Sequence, residues 1–257
     1  MLYTGGVGLV ILLSLLPLIV VFIAAFTKTS GPVMHWGSWS LASMQRALHG
    51  APEPILNSLK FASLATVTGV AFAVLVSYLT IKKRSAFTQV LDYIVVLPLT
   101  ISGTVLGIAL VQTFNIGWLV LAGTSGIMVL CYAVRRLPFA VRNASSVLFN
   151  IPDSIEEASI SLGVSPLMTF FKVILPAMKA SIISAAILMW LTTISELSAS
   201  IVAYSGGLET MPIAIFRQVD GGRLGMASAY GAALVTVIVL PIIVSVKAFR
   251  IKLFSGK

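Results

Sequence analysis

Long apolar runs, separated by short clusters of basic residues, dictate what this chain can become. Gly6–Phe26 carries no charged residue and is long enough to cross a hydrocarbon layer of ~30 Å as a helix. Ile55–Ile81, Gln89–Phe114, Trp118–Val134, Ala177–Tyr204 and Ala227–Phe249 repeat the pattern. No water reaches the bilayer interior to satisfy backbone N–H and C=O groups, so such runs must be helical. The expected fold is all-α: a single polytopic membrane domain over residues 1–257 with six transmembrane helices. Composition agrees, since 10% of residues are charged where a soluble domain carries roughly 25%. The first run lacks a basic leader and a small-residue cleavage site, so it reads as a retained span.

The +9 net charge is no nucleic-acid signal, because the basic residues sit beside the apolar runs rather than on one face. With the N-terminus inside, the inner segments hold Lys82, Lys83, Arg84, Arg135, Arg136, Arg142, Lys172, Lys179, Lys247, Arg250, Lys252 and Lys257. The outer segments hold Lys28, Arg46, Arg217 and Arg223, with Lys60 at a boundary. Positive charge marks the cytoplasmic side, so both termini are expected in the cytoplasm.

Several smaller signals resolve into packing. Trp36 and Trp39 in the polar stretch Thr27–Pro54 suit an interfacial belt. His35 and His49 lack the cysteine or carboxylate neighbours of a metal site, so no metal is expected. Cys131 reads as a small buried residue. Gly103 and Gly107 permit close helix approach, and Pro98 is expected to break the third run. Gly123-Thr124-Ser125-Gly126 has the G-x-S-G form of an intramembrane protease, but no span offers its serine a base. No phosphate-binding G-x4-G-K-[ST] motif is present, and no catalytic residue is assigned.

Residues 150–176 are the longest stretch that is neither a span nor an obvious turn. Pro152 starts a helix, and Asp153 or Ser154 is expected to cap its free N–H groups. Glu156 and Glu157 in the first turn complement the helix dipole. Gly163 ends it and Ser165-Pro166 keeps it ended. A short capped helix between apolar runs is built to protrude and touch something.

Glu157, Ala158, Gly163, Leu175 and Pro176 match E-A-A-x3-G-x9-I-x-L-P, with Ser159 and Val173 as small-for-small and β-branched-for-β-branched replacements. The stretch thereby resembles the EAA loop of permease subunits in binding-protein-dependent ABC importers of the type I class. The resemblance implies a cytoplasmic coupling helix between spans 4 and 5, with Asp153, Glu156, Glu157, Ala158, Ser159, Gly163, Leu175 and Pro176 at the ATPase contact. It further implies two ATPase subunits carrying ATP and Mg, a second permease that is identical or related, and an extracytoplasmic substrate-binding protein. The setting would be the bacterial cytoplasmic membrane, with no cofactor on this chain and no enzymatic activity of its own. Ile194–Ser200, Glu209–Ile215 and Gly225–Gly231 look like the ferric-iron branch; permeases for aminoethylphosphonate, sugar phosphates, polyamines, sulfate and molybdate are near relatives. The rival class is an ATP-independent secondary transporter, which repeats between halves would favour; none is convincing here.

Glu196 is the acidic residue well inside an expected span, roughly 28 Å along the helix from Ala177 at ~1.5 Å per residue. A carboxylate at such depth turns away from lipid. With Thr192, Ser195 and Ser198 it forms a candidate pathway wall or gate; the alternative is a packing pin that pairs with a neighbouring helix.

The charge-based orientation makes a direct prediction. In a Cys131→Ala background, cysteines at Ser38 and Gly206 are labelled by an impermeant maleimide from outside, and one at Ser255 only after permeabilisation. The reverse pattern would overturn the orientation.

Overall fold

A computed structural model describes residues 2–253; Ser255 and Lys257 lie outside the described residues. The chain forms two compact units, Met1–Leu59 with Gly206–Lys257, and Lys60–Ser205. Helix α3 (Glu53–Lys82) begins in the first and continues into the second.

In the first unit, α1 (Leu2–Ala25) packs on α13 (Leu224–Leu253). Between α1 and α3 the all-helical expectation misses an antiparallel pair, β1 (Thr27–Ser30) with β2 (Val33–Trp39), in register at Thr29↔Met34 and Ser30↔Val33. Its two-residue turn places Gly31 at φ 61°, a conformation glycine adopts without a Cβ penalty. A short α2 (Ala42–Gln45) runs into a π-turn at Arg46–Gly50.

The stretch expected as a polar connection at Ser205–Gly225 contains α12 (Met211–Asp220). Proline at its first turn and buried Met211, Ile213 and Ala214 explain the helix, since proline fits where no N–H partner is needed. Ser58 Oγ accepts from Met211 N at 2.7 Å, and Asn57 Nδ2 donates to the Gly207 and Glu209 carbonyls. The polar start of α3 thus satisfies the backbone ahead of α12.

In the second unit, α3 packs its Val70, Ala73, Val74 and Val76 into a core with Val141, Ala144, Leu148, Ile174, Met178 and Met189. The run expected as one span broken at Pro98, Gln89–Phe114, forms two helices, α4 (Ala86–Thr100) and α5 (Gly103–Thr113), bent by 114°. The break falls at Ile101-Ser102 rather than at Pro98, which stays inside α4. Ser102 is extended and its hydroxyl caps α5 by accepting from Val105 N.

The fourth helix also shifts. α6 (Ser125–Phe149) starts after Trp118 and continues through Arg135-Arg136 instead of ending there. The G-x-S-G segment is its cap: Thr124 Oγ1 accepts from Gly126 N at 3.2 Å. The Ala177–Tyr204 run contains α10 (Lys179–Ile194) and α11 (Ser200–Ala203), separated by an irregular Ser195–Ala199.

Among the described residues three helices are long and apolar enough to cross a membrane, or five if each bent pair is one span. α6 adds a length of roughly 37 Å at ~1.5 Å per residue but carries Arg135, Arg136 and Arg142 within it.

Gly107 on α5 lies against Ala199; a Cβ there would stand 2.6 Å from the Ala199 carbonyl oxygen. Backbone cannot yield as a side chain can, so overpacking of about 1–3 kcal/mol follows. Gly107→Val is expected to lower the apparent unfolding temperature of the solubilised protein by several degrees. Gly206→Ala, with open space around it, leaves the temperature unchanged. Equal effects would reject the α5–Ala199 contact.

Candidate functional site

Two places in the Lys60–Ser205 unit concentrate charge: the loop after α6, and the point where the broken helices meet.

The loop begins at α7 (Asp153–Ser161), where the helix was expected. Its capping differs from expectation. Pro152 holds the cap position and has no side-chain acceptor to offer, while Asp153, the first helical residue, pairs with Lys82 Nζ at 2.6 Å. Lys82 Nζ also donates to the Ile151 carbonyl at 2.5 Å. Gly163 at φ 83° reverses the chain as a left-handed stop. Ser165 then caps α8 (Pro166–Thr169), which continues through a π-turn at Phe170–Ile174 into α9 (Leu175–Ala177).

The two adjacent glutamates separate. Glu156 is buried at 6% exposure and accepts from both Lys83 Nζ and Tyr78 OH at 2.8 Å. Burial pushes its carboxyl pKa up, but the Lys83 and Tyr78 hydrogen bonds and the lysine charges outweigh it and hold the group below its ordinary value. The Lys82 hydrogen bond and charge likewise lower Asp153.

Ser159 turns inward to share a 2.9 Å hydrogen bond with Thr169, and Phe170 sets its ring edge-on to Tyr78 at 4.8 Å. Glu157 and Ala158 stay exposed beside Ile155, Ile160 and Leu162, and Glu157 makes no ion pair among the described residues. Leu175 is half-buried against the core and Pro176 is exposed. The result is an acidic, apolar knob held from behind by the end of α3. Sequence reasoning used Lys82 and Lys83 only as orientation markers and passed over Tyr78.

The second cluster joins two features that were expected apart. Arg135-Arg136 was expected at an inner helix end and Glu196 in an outer half; the structure brings them together. Glu196, 3% exposed, pairs with Arg136 Nη2 and lies 3.4 Å from Arg135 Nε. From Arg136 to Phe149 α6 advances roughly 20 Å at ~1.5 Å per residue, so the cluster stands near the middle of α6. The other oxygen of Glu196 accepts from Ala199 N at 3.3 Å, closing the break before α11.

Arg135 Nη1 donates to the Ile101 carbonyl at 3.1 Å, at the break between α4 and α5. A Cβ on Gly103 would meet Ser198 Cβ at 2.6 Å and Arg135 Cζ at 3.0 Å, so this glycine is what lets the two breaks meet. Thr192 and Ser195 bond carbonyls of their own helix, while Ser198 is exposed beside Gly103. Glu196 thus has a partner on a neighbouring helix, α6. The signal that could have located the arginines is the apolar run Leu137–Val141 that follows them. Isolated at a helix centre, each such charge costs roughly 2.5–3.5 kcal/mol on insertion scales.

The anchoring of Glu156 is testable. Lys83 is half-exposed, so screening leaves the pair about 1 kcal/mol, a factor of about five in loop opening. Lys83→Ala and Glu156→Ala should each speed protease cleavage within residues 151–176 by that factor at neutral pH, and Glu157→Ala should not. Because the folded carboxyl pKa is depressed, wild-type protection is full above the ordinary glutamate range and is lost as pH falls through the lowered value. Equal cleavage of all three variants would reject the anchor.

Residues 65–251 match the family model described as "Binding-protein-dependent transport system inner membrane component". A ferric transport system permease protein of Actinobacillus pleuropneumoniae is 26% identical over 84% of this chain and 32% of its own length. This chain therefore spans about a third of that relative. A putative 2-aminoethylphosphonate transport system permease protein of Salmonella choleraesuis is 29% identical over 94% of this chain and 90% of its own. A molybdate/tungstate transport system permease protein of Pyrococcus furiosus is 34% identical over 65% and 67%. In fold, the chain is similar to one from a bacterial alginate ABC transporter in complex with an alginate pentasaccharide-bound periplasmic protein (TM-score 0.70, 18% identity, 93% and 91% coverage). It is also similar to a chain of an inward-facing methionine ABC transporter (TM-score 0.64, 20% identity, 82% and 98% coverage).

Proposed function

Because the chain belongs to the family of binding-protein-dependent transport system inner membrane components, we propose that it is one permease subunit of an ATP-driven importer, coupled to its ATPases through α7. The exposed Glu157–Ala158 face of an otherwise anchored helix is the observation that carries this reading. A helix that must transmit force needs a free face for its driver and a stiff attachment to the spans, and α7 has both.

In this reading two permease subunits line the path, two ATPase subunits hold ATP and Mg beneath them, and a binding protein delivers cargo from the opposite face. The chain itself supplies passage and no ATP chemistry. Both termini and the α7 loop lie in the cytoplasm of a bacterial inner membrane, with six spans crossing it; α4 with α5 forms one span and α6 another. Ferric iron is the cargo in this reading, supported by the name of one relative, with 2-aminoethylphosphonate and molybdate or tungstate as alternatives supported by two others; sugar phosphate, polyamine and sulfate complete the field.

Reconstitution with the ATPase and binding protein tests the coupling. Glu157→Lys reverses the charge of the free face. Gly163→Pro imposes a φ near −65° where the chain requires 83°. Both should leave the permease inserted while reducing cargo uptake and binding-protein-stimulated ATP hydrolysis by about tenfold or more, the scale of a lost charged contact. Wild-type uptake and stimulation in both variants would sink the assignment.

A further inference from the structure

The first unit holds a cavity of about 760 Å³, within the roughly 300–1,000 Å³ of small-ligand sites. Arg46 on the π-turn and Glu53 at the start of α3 line it from one side. Glu209 and Gln218 line it from α12 and the segment before it, and Arg223 and Tyr230 from around the start of α13.

Bonds between these segments fix the wall. Tyr230 OH donates to the Ala51 carbonyl at 2.8 Å, and Asn57 Nδ2 donates to the Gly207 and Glu209 carbonyls at 2.9 Å. Ala47, Ala214, Ala229 and Tyr230 adjoin the cavity as a buried core. A site whose walls are set before a ligand arrives loses little freedom on binding.

The charges on the wall do not cancel. Glu209 is matched by Arg217 Nη1 at 3.3 Å. Arg46, Arg223 and Glu53 make no ion pair among the described residues. Arg46 spends Nε on the Ala42 carbonyl at 3.2 Å, which leaves the terminal nitrogens of its fork. Two positive groups and one negative group are therefore on offer. Gln218 adds a buried Oε1 with no hydrogen-bond partner among the described residues, an acceptor that is costly to leave unmet.

Two guanidinium groups suit an oxyanion of high charge, which they take through paired N–H···O bonds. A carboxylate and an unmet acceptor suit an ammonium, which donates and cannot accept. A phosphate monoester, and a phosphonate like it, carries about −1.5 to −2 at pH 7, whereas a carboxylate leaves one arginine unmet. A bare anion or a bare cation meets repulsion from part of the wall.

We propose that this cavity binds a small amine bearing a phosphonate or phosphate monoester, with Arg46 and Arg223 on the oxyanion and Glu53 and Gln218 on the ammonium. The importer reading supplies only the side of the membrane to which the cavity opens, the outer one. Binding itself needs neither ATP nor transport.

The test uses the full chain, purified with the subunits that accompany it, in nanodiscs of phosphatidylcholine without ATP. Calorimetric titration with 2-aminoethylphosphonate should saturate. Ethylphosphonate, which lacks the amine, and β-alanine, which has a carboxylate for the phosphonate, should each bind about tenfold or more weakly. Arg223→Gln should weaken 2-aminoethylphosphonate by a similar factor. Glu53→Gln should erase the preference over ethylphosphonate while ethylphosphonate itself binds no more weakly than to wild type. Both residues are exposed, so neither change should move the unfolding temperature. The comparison of ligands on the wild type decides by itself where a variant fails to fold.

No saturable binding by wild type, equal binding of either analogue, or unchanged binding in Arg223→Gln would overturn the proposal. So would loss of the titration in nanodiscs of phosphatidylethanolamine, which would give the cavity to a lipid headgroup of the same chemistry. ATP-driven uptake is measured separately, so failure of the importer reading leaves these outcomes unchanged.

Discussion

The pairing of Arg136 with Glu196 lets the helices of the Lys60–Ser205 unit break where they do. A broken helix strands carbonyl and N–H groups, and an apolar environment supplies no water to meet them. Here the same few side chains meet them: Glu196 accepts from Ala199 N ahead of α11, and Arg135 donates to Ile101 at the end of α4. Gly103 and Gly107 bring the two breaks close enough for this exchange. Removing the carboxylate would leave two guanidinium groups facing each other, and removing Arg136 would strand a buried carboxylate, the expensive direction in either case.

The α7 loop solves a related problem at the other end of α6. A helix outside the apolar core has little packing of its own, so its position must come from directed bonds. Tyr78 and Lys82 on the last turn of α3 and Lys83 just beyond it provide them, and the Phe170 ring stacks edge-on against Tyr78. Three donors on two carboxylates and one carbonyl fix the loop in both position and rotation, beyond what the Phe170 contact alone defines. The loop and the end of α3 should therefore move together.

Much of this was legible from the residues. The apolar runs anticipated long helices, and Pro152, Asp153 and Gly163 anticipated the start of α7 and its glycine stop. Three features were not legible, for separate reasons. The β1–β2 pair arises in a polar stretch whose composition resembles any exposed connection. The breaks at Ile101-Ser102 and Ser195–Ala199 have ordinary local sequence, while the proline that invites a break, Pro98, sits within a helix. Arg135-Arg136 was read as a helix end because basic pairs beside apolar runs normally mark one; the apolar run Leu137–Val141 after them signalled that α6 continues, but nothing local named Glu196 as their partner. Glu156 and Glu157 were indistinguishable in sequence; a rotation of about 100° between successive helical positions sends one inward and the other out.

Lys82 and Lys83 carry two loads at once. In the sequence they are a charge pattern at the end of an apolar run; in the folded protein the same ammonium groups grip Ile151, Asp153 and Glu156. Pattern and grip therefore rest on the same two side chains. Neutralising either lysine would loosen the loop as well as erase the charge, and shifting the pair by a single residue would break the register of those bonds.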